Sequence, residues 1–350
     1  MLFPETLFVK EPSGESPRNS EGSLGVCDDG SYFFAWSAFT GGSRDHSSAH
    51  IAGMRSIDKG KTWSDPMILF AGEGKGNMMS VSILRLATGE DLFFYGVRNA
   101  WDDLRFRVRC SQDNFGSFGD WVYVTPTKQY HVINNDRAIQ CANGRILIPA
   151  AWHPCVDGTA ATWHLQGISF LLFSDDHGKS WKESQSRLEG PEGSETGLQE
   201  PGVVELSDGR LYMWMRTDRG VQYESFSSDG GETWSSARPS QIVSPISPAT
   251  IRRIPGTTFF IMVWNDHSGR HPFPAHCRSP LCVAVSRDDC RSWSPSIVIE
   301  DDPEGWYCYT SLAFDDDMVI LSYCAGDSTV GGLNRLKIVR FSLSLLLKIC

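Results

Sequence analysis

The chain holds 350 residues, 41% of them hydrophobic and 21% charged, with 33 glycines and 12 tryptophans. That is enough for two average domains or one large repetitive one with a real core, and the glycine and tryptophan content leans toward a turn-rich, all-β chain. A net charge of −10 argues against nucleic acid or an anionic membrane as the general partner, so a site for any anion must gather its positive charge locally.

From the N-terminus, Met1-Leu2-Phe3-Pro4-Glu5 lacks a basic segment followed by an apolar stretch, and no secretory leader is expected. Thr6 to Lys10 reads as a strand. A hairpin follows from Leu24 to Phe34, turning at Asp29-Gly30, and the same strand–turn–strand grammar returns at Ile83–Phe94, Ala138–Ile148 and Val203–Met213. The apolar run Phe259 to Trp264 is too short to span a bilayer. The C-terminal stretch from Arg335 through Phe341 to Leu347 reads as a strand that shares a sheet with Thr6–Lys10, clasping the two ends and covering an edge. Ten cysteines lie scattered without CxxC pairs. They read as free thiols in a reducing, cytoplasmic setting.

Between the hairpins one octapeptide recurs: Ser56–Trp63, Ser174–Trp181, Ser227–Trp234 and Ser286–Trp293 all follow Ser-x-Asp-x-Gly-x-Thr/Ser-Trp, with Cys290 replacing the glycine in the last. A worn copy begins Ser111-Gln-Asp113 and ends near Trp121. The tryptophans at 63, 121, 181, 234 and 293 stand 53 to 60 residues apart, a period that divides the chain into roughly six units of four short strands. The aspartate can accept bonds from backbone N–H groups, glycine supplies φ > 0, and the tryptophan packs beneath the turn. These are Asp-boxes, structural features with no catalytic part. The expectation is a single six-bladed β-propeller over residues 1–350.

Asp-boxes on this period make the whole chain resemble the sialidase (neuraminidase) superfamily. The resemblance implies three arginines from different blades around a substrate carboxylate. Arg18 (in Pro17-Arg18-Asn19-Ser20-Glu21), Arg216 (after Leu211-Tyr-Met-Trp-Met) and Arg278 (opening the strand into Ser286) stand at those places. It implies a tyrosine nucleophile in the last blade, where Trp306-Tyr307-Cys308-Tyr309-Thr310-Ser311-Leu312 offers Tyr309 first and Tyr307 as a rival. It implies a glutamate base, Glu200 in Gln199-Glu200-Pro201-Gly202, and an aspartate acid/base, Asp45 in the glycine-rich loop Gly41-Gly-Ser-Arg-Asp45-His46. The polar segment Val132–Arg137 offers Asn135 and Arg137 as contacts to sugar hydroxyls, and Asn77, Ser80 and His46 have no assigned role. Here the first arginine is followed by Asn-Ser-Glu, where familiar sialidases tend to have Ile-Pro, so Glu21 could neutralise Arg18 or reshape its pocket.

The roles agree with elementary chemistry. A 2-keto acid sugar carries a carboxylate on its anomeric carbon and repels an anionic nucleophile, whereas a neutral tyrosine beside a glutamate base avoids that repulsion. Converging guanidinium forks hold the carboxylate. The function expected is an exo-acting retaining glycosidase that releases a terminal sialic or related ulosonic acid from acidic glycans, with no metal or cofactor. Two alternatives stay open: a non-catalytic glycan- or protein-binding propeller, and a polysaccharide lyase in which tyrosine and His46 or His153 act beside a uronate.

Overall fold

The computed structural model describes every residue except 1 and 3. Five antiparallel-dominated sheets follow one another along the chain. The first holds Arg18–Val26, Tyr32–Phe39, Ala49–Ser56 and Met67–Phe70. The second has nine strands between Asn77 and Glu183, and its two halves meet at one parallel pair, Tyr130 with Leu104. Gln199–Glu205 opens the third, Thr250–Arg253 the fourth and Trp306–Asp315 the fifth, each of four strands.

The opening strands pack on one another: Arg18–Val26 touches both Asn77–Arg85 and Trp306–Asp315, and Thr250–Arg253 bridges Gln199–Glu205 and Trp306–Asp315. Polar ties stitch them. Ser311 Oγ accepts from Leu24 N (3.1 Å), Ser23 Oγ from Ile83 N (3.1 Å), and Asp136 Oδ2 from Leu312 N (3.0 Å). Each tie satisfies a buried group that would otherwise carry a desolvation penalty. Apolar clusters fill the spaces between successive sheets, as where Phe33, Phe93, Tyr95 and Phe115 meet.

The octapeptide turns have one geometry. In the copy at 227–234, Ser227 Oγ accepts from Gly231 N (2.9 Å) and donates to Asp229 Oδ1 (2.8 Å), while Asp229 takes Thr233 N (3.0 Å). Two consecutive residues enter the left-handed region in every copy; Asp289 and Cys290 do so at φ 58° and 61°, without glycine. The worn copy differs from its expected reading. Ser117 plays the threonine's part, donating to Asp113 (2.7 Å), so Phe118 occupies the tryptophan's place and packs against Phe93 and Phe70. Trp121 instead stacks on the Arg107 guanidinium, 3.8 Å away.

The chain ends meet as expected, with Thr6 paired to Val339. The last strand, however, stops at Ser342, and Leu343–Ile349 is a helix. Ser342 caps it by accepting from Leu345 N (3.1 Å), and Asp317 takes Ser344 N (2.8 Å). Leucine is a good helix former, and with the cap in place the buried Leu346 anchors the turn to the core. No helix among the described residues is long and apolar enough to cross a membrane.

Candidate active site

At four places the opening strand of a sheet breaks its pairing register: between Ser20 and Ser23, Met79 and Ser82, Gln199 and Gly202, and Cys308 and Ser311. Inside each break one non-glycine residue is left-handed, Glu21 (φ 56°), Ser80 (60°), Glu200 (45°) and Tyr309 (55°). A bulge re-aims its side chain, and a left-handed non-glycine residue costs of order 1–3 kcal/mol that the surroundings must offset. All four side chains line one cavity of about 640 Å³. Glycine holds two of the bulges in shape. A Cβ on Gly202 would sit 2.0 Å from the buried Trp214 ring, and one on Gly22 would sit 2.5 Å from Phe34.

The bulges bring Tyr309 and Glu200 together. Tyr309 Oη donates to Glu200 Oε1 (2.9 Å), and Arg216 Nη1 donates to Oε2 (2.5 Å). Burial pushes the Glu200 carboxyl up, but Arg216 and Arg278 outweigh it and hold the group below its ordinary value. Burial and the Glu200 charge push the Tyr309 phenol well above its own. The resting pair is therefore a neutral phenol donating to an ionised carboxylate, a nucleophile with its base in contact. Arg278 lies over Trp306 and Tyr309, at 5.2 and 5.5 Å, and its buried Nε and Nη1 have no partner, as is true of Arg216 Nε. Such unpaired buried donors call for an anion.

Arg18 is differently placed. It is 1% exposed, with Nε donating to Ser20 Oγ (2.9 Å), Nη1 to Ser43 O (3.3 Å) and Asp45 Oδ1 (2.5 Å), and Nη2 to Glu21 Oε1 (2.8 Å). The Asp45 side chain is 75% exposed at the cavity mouth. Its loop is fastened by backbone: Asn77 Nδ2 donates to the Asp45 and Ser47 carbonyls (2.6 and 2.9 Å), and Arg98 Nη2 to His46 O (2.8 Å).

A family model for the BNR repeat-like domain matches residues 31–321. The chain belongs to that family. Over 80 residues this BNR repeat-like domain is 38% identical to the anhydrosialidase of Macrobdella decora, a stretch of 23% of the chain and 10% of that relative. The matched part is thus a tenth of the curated relative's length. Its fold is similar to solved sialidases: the Hadza microbial sialidase Hz136 (TM-score 0.75, 16% identity, 95% of this chain and 67% of that one); a leech intramolecular trans-sialidase complexed with 2,7-anhydro-Neu5Ac (0.76, 18%, 99% and 71%); and the intramolecular trans-sialidase of Ruminococcus gnavus (0.72, 16%, 98% and 98%).

Not every residue expected at the site of this BNR repeat-like domain lines the cavity. Asn135 and Arg137 stand behind it. Asn135 Nδ2 donates to the carbonyls of Gly22 (2.6 Å) and Tyr309 (3.0 Å), and Arg137 donates to Thr250 Oγ1 (3.1 Å) and Ala249 O (2.9 Å). Burial pulls the Arg137 guanidinium down to about 10. Both tie neighbouring sheets together and lie outside the cavity lining. Tyr307, the rival nucleophile, alternates to the opposite face and packs against Tyr323. His46 and His153 line the cavity, but burial first of all pulls the His153 imidazole down to about 4, and Nδ1 is committed to His164 O (3.0 Å).

The sequence reading missed an aromatic wall and a fourth arginine. Trp101, Tyr130 and Trp163 stack beside His153 on one side of the cavity, and Arg98 lies over Trp101. Arg98 was findable: it pairs with Asn77 as Arg216 pairs with Gln199, both at or near the end of the second strand of a sheet. Trp163 was not, because it arrives on an excursion through the short 3-10 turn Ala160–Thr162, outside the repeat.

Proposed function

We propose that this BNR repeat-like domain is a retaining exo-glycosidase of the sialidase type, releasing a terminal carboxylate-bearing sugar, sialic acid or a related ulosonic acid, from glycans. The observation that carries this reading is the Tyr309–Glu200 hydrogen bond, set beside Arg216 and Arg278 with their unpartnered N–H groups. The ligand carboxylate takes those donors, which places the anomeric carbon near Tyr309. Tyr309 Oη bonds to that carbon as Glu200 takes the phenol proton, the bond to the departing oxygen breaks, and Asp45, which has swung off Arg18 and taken a proton from solvent, protonates that oxygen. Asp45 then removes a proton from water, the water oxygen bonds to the same carbon, the tyrosyl ether breaks, and Glu200 returns its proton to Tyr309. Two displacements leave the configuration retained. The guanidinium groups stabilise charge throughout.

The same proposal reads the architecture as six blades in one domain, the nine-stranded sheet being two units whose strands pair at Tyr130–Leu104. Ten free cysteines support a reducing, cytoplasmic setting. The likeness to sialidase and trans-sialidase folds supports the substrate class. The test is a screen of 4-methylumbelliferyl glycosides of several ulosonic acids. Turnover of at least one is expected, abolished in Tyr309→Phe, reduced sharply in Asp45→Ala, and retained in Tyr307→Phe. Unchanged turnover in Tyr309→Phe discards the mechanism, and an unsaturated, ultraviolet-absorbing product would mark a lyase.

A further inference from the structure

The three arginines are not equivalent. Arg216 and Arg278 keep unpartnered N–H groups, whereas Arg18 is committed on every nitrogen, to two carboxylates, a hydroxyl and a carbonyl. Its two anionic partners differ in freedom. Asp45 is three-quarters exposed on a loop and can swing out. Glu21 cannot, because its side chain is 8% exposed and Oε2 takes the Ser80 hydroxyl (2.7 Å). Its bulge is braced by Gly22, which has no room for a Cβ against Phe34. Glu21 also lines the cavity itself. A ligand carboxylate that reaches Arg18 must therefore share the guanidinium with a fixed carboxylate already in contact.

We propose that Glu21 sets the affinity and the working pH of the cavity by competing with the ligand carboxylate for Arg18. This rests on the glycosidase reading above and deepens it. While Glu21 is ionised, Arg18 is neutralised and the ligand is held chiefly by Arg216 and Arg278. When Glu21 takes a proton, its ion pair is given up, and once Asp45 swings out Arg18 becomes a third free charge.

The groups facing Glu21 are Arg18 on its own strand, Asp45 on the loop, Ser80 on Asn77–Arg85, Glu200 on Gln199–Glu205, Tyr130 on the aromatic wall and Cys324 behind its backbone. Burial pushes the Glu21 carboxyl up; Arg18 draws it back, and Asp45 and Glu200 add to the rise. The net direction is upward. A carboxyl on an anomeric carbon is made more acidic than a glutamate by the two oxygens that carbon bears, so the ligand keeps its charge at a pH where Glu21 loses its own. Affinity for the acidic sugar accordingly rises as pH falls and Glu21 takes its proton.

Calorimetric titration with the 2,3-didehydro glycals of N-acetylneuraminic acid and of its deaminated analogue, at about pH 7 and about pH 5, tests this. The wild type should bind at least one glycal about tenfold more tightly at the lower pH. Glu21→Gln should bind at neutral pH as tightly as the wild type does in acid, with no remaining pH dependence. Ser80→Ala keeps every charge but removes a bond to the ionised form, so it should move the tightening to higher pH. Weaker neutral binding by Glu21→Gln would overturn the inference, making Glu21 only a strut for Arg18. So would a pH-independent wild type, or a Ser80→Ala profile superimposed on the wild type's. These three outcomes leave the glycosidase reading standing, whereas a wild type that binds neither glycal at either pH overturns both.

Discussion

Glu200→Gln removes one negative charge from a point where three groups meet. Its Oε2 lies 2.5 Å from Arg216 and its Oε1 2.9 Å from the Tyr309 hydroxyl, with both ion-pair side chains 15% exposed or less. Removing one partner of a buried pair costs about 3–5 kcal/mol, and because glutamine keeps an acceptor oxygen for Arg216 the lower figure applies, about 3 kcal/mol. In the reaction the variant can no longer accept the phenol proton, a loss of about 10²–10⁴-fold in kcat. The two effects have separate assays. Urea midpoints report the folded-state cost, and the burst of fluorophore release from an aryl glycoside reports formation of the tyrosyl intermediate. A third readout ties them together: Arg216, still bonded but freed of its counter-charge, should let an acidic glycal raise the urea midpoint of the variant more than that of the parent. A variant within about twofold of the parent in burst rate and unchanged in midpoint would refute the placement of Glu200 as the proton acceptor.

Asn77→Ala frees the carbonyls of Asp45 and Ser47; it should lower kcat/KM about tenfold, ~1.4 kcal/mol, with Asp45 present but unheld, read as amide exchange gained across residues 41–48. Arg216→Gln removes one of the two charges that depress Glu200, so the carboxyl takes its proton at higher pH, and the acid limb of kcat, expected below the ordinary 4.5 in the parent, should move upward in a pH–rate profile. Ser227→Ala loses the buried hydroxyl that serves Gly231 N and Asp229 at once; it should cost about 1–2 kcal/mol in urea unfolding and leave KM unchanged.

Much of the architecture was legible along the chain because it repeats. Ser-x-Asp-x-Gly-x-Thr-Trp closes its hydrogen bonds within eight residues, so its geometry follows from local chemistry, and Asp-Gly and Asn-Gly turns likewise announce hairpins. Local reading failed where a neighbour in space took over. Phe118, not Trp121, fills the worn repeat because the serine at 117 sets the register through Asp113. The segment after Ser342 is helical because Asp317, 25 residues earlier, caps it together with Ser342 itself.

For the candidate site, the family resemblance pointed to Tyr309, Glu200, Asp45 and the arginines, and chemistry asked for a neutral nucleophile. What only the tertiary structure decided is which of these groups are free. Arg18 and Arg278 look alike in sequence, yet one is held between two carboxylates and the other has donors to spare. Asn135 and Arg137 look like sugar contacts, yet they brace sheets. The physical reason is that a buried guanidinium's strength depends on its partners, and whether Glu21 and Asp45 reach Arg18 is set by a left-handed bulge and a loop that no local pattern announces.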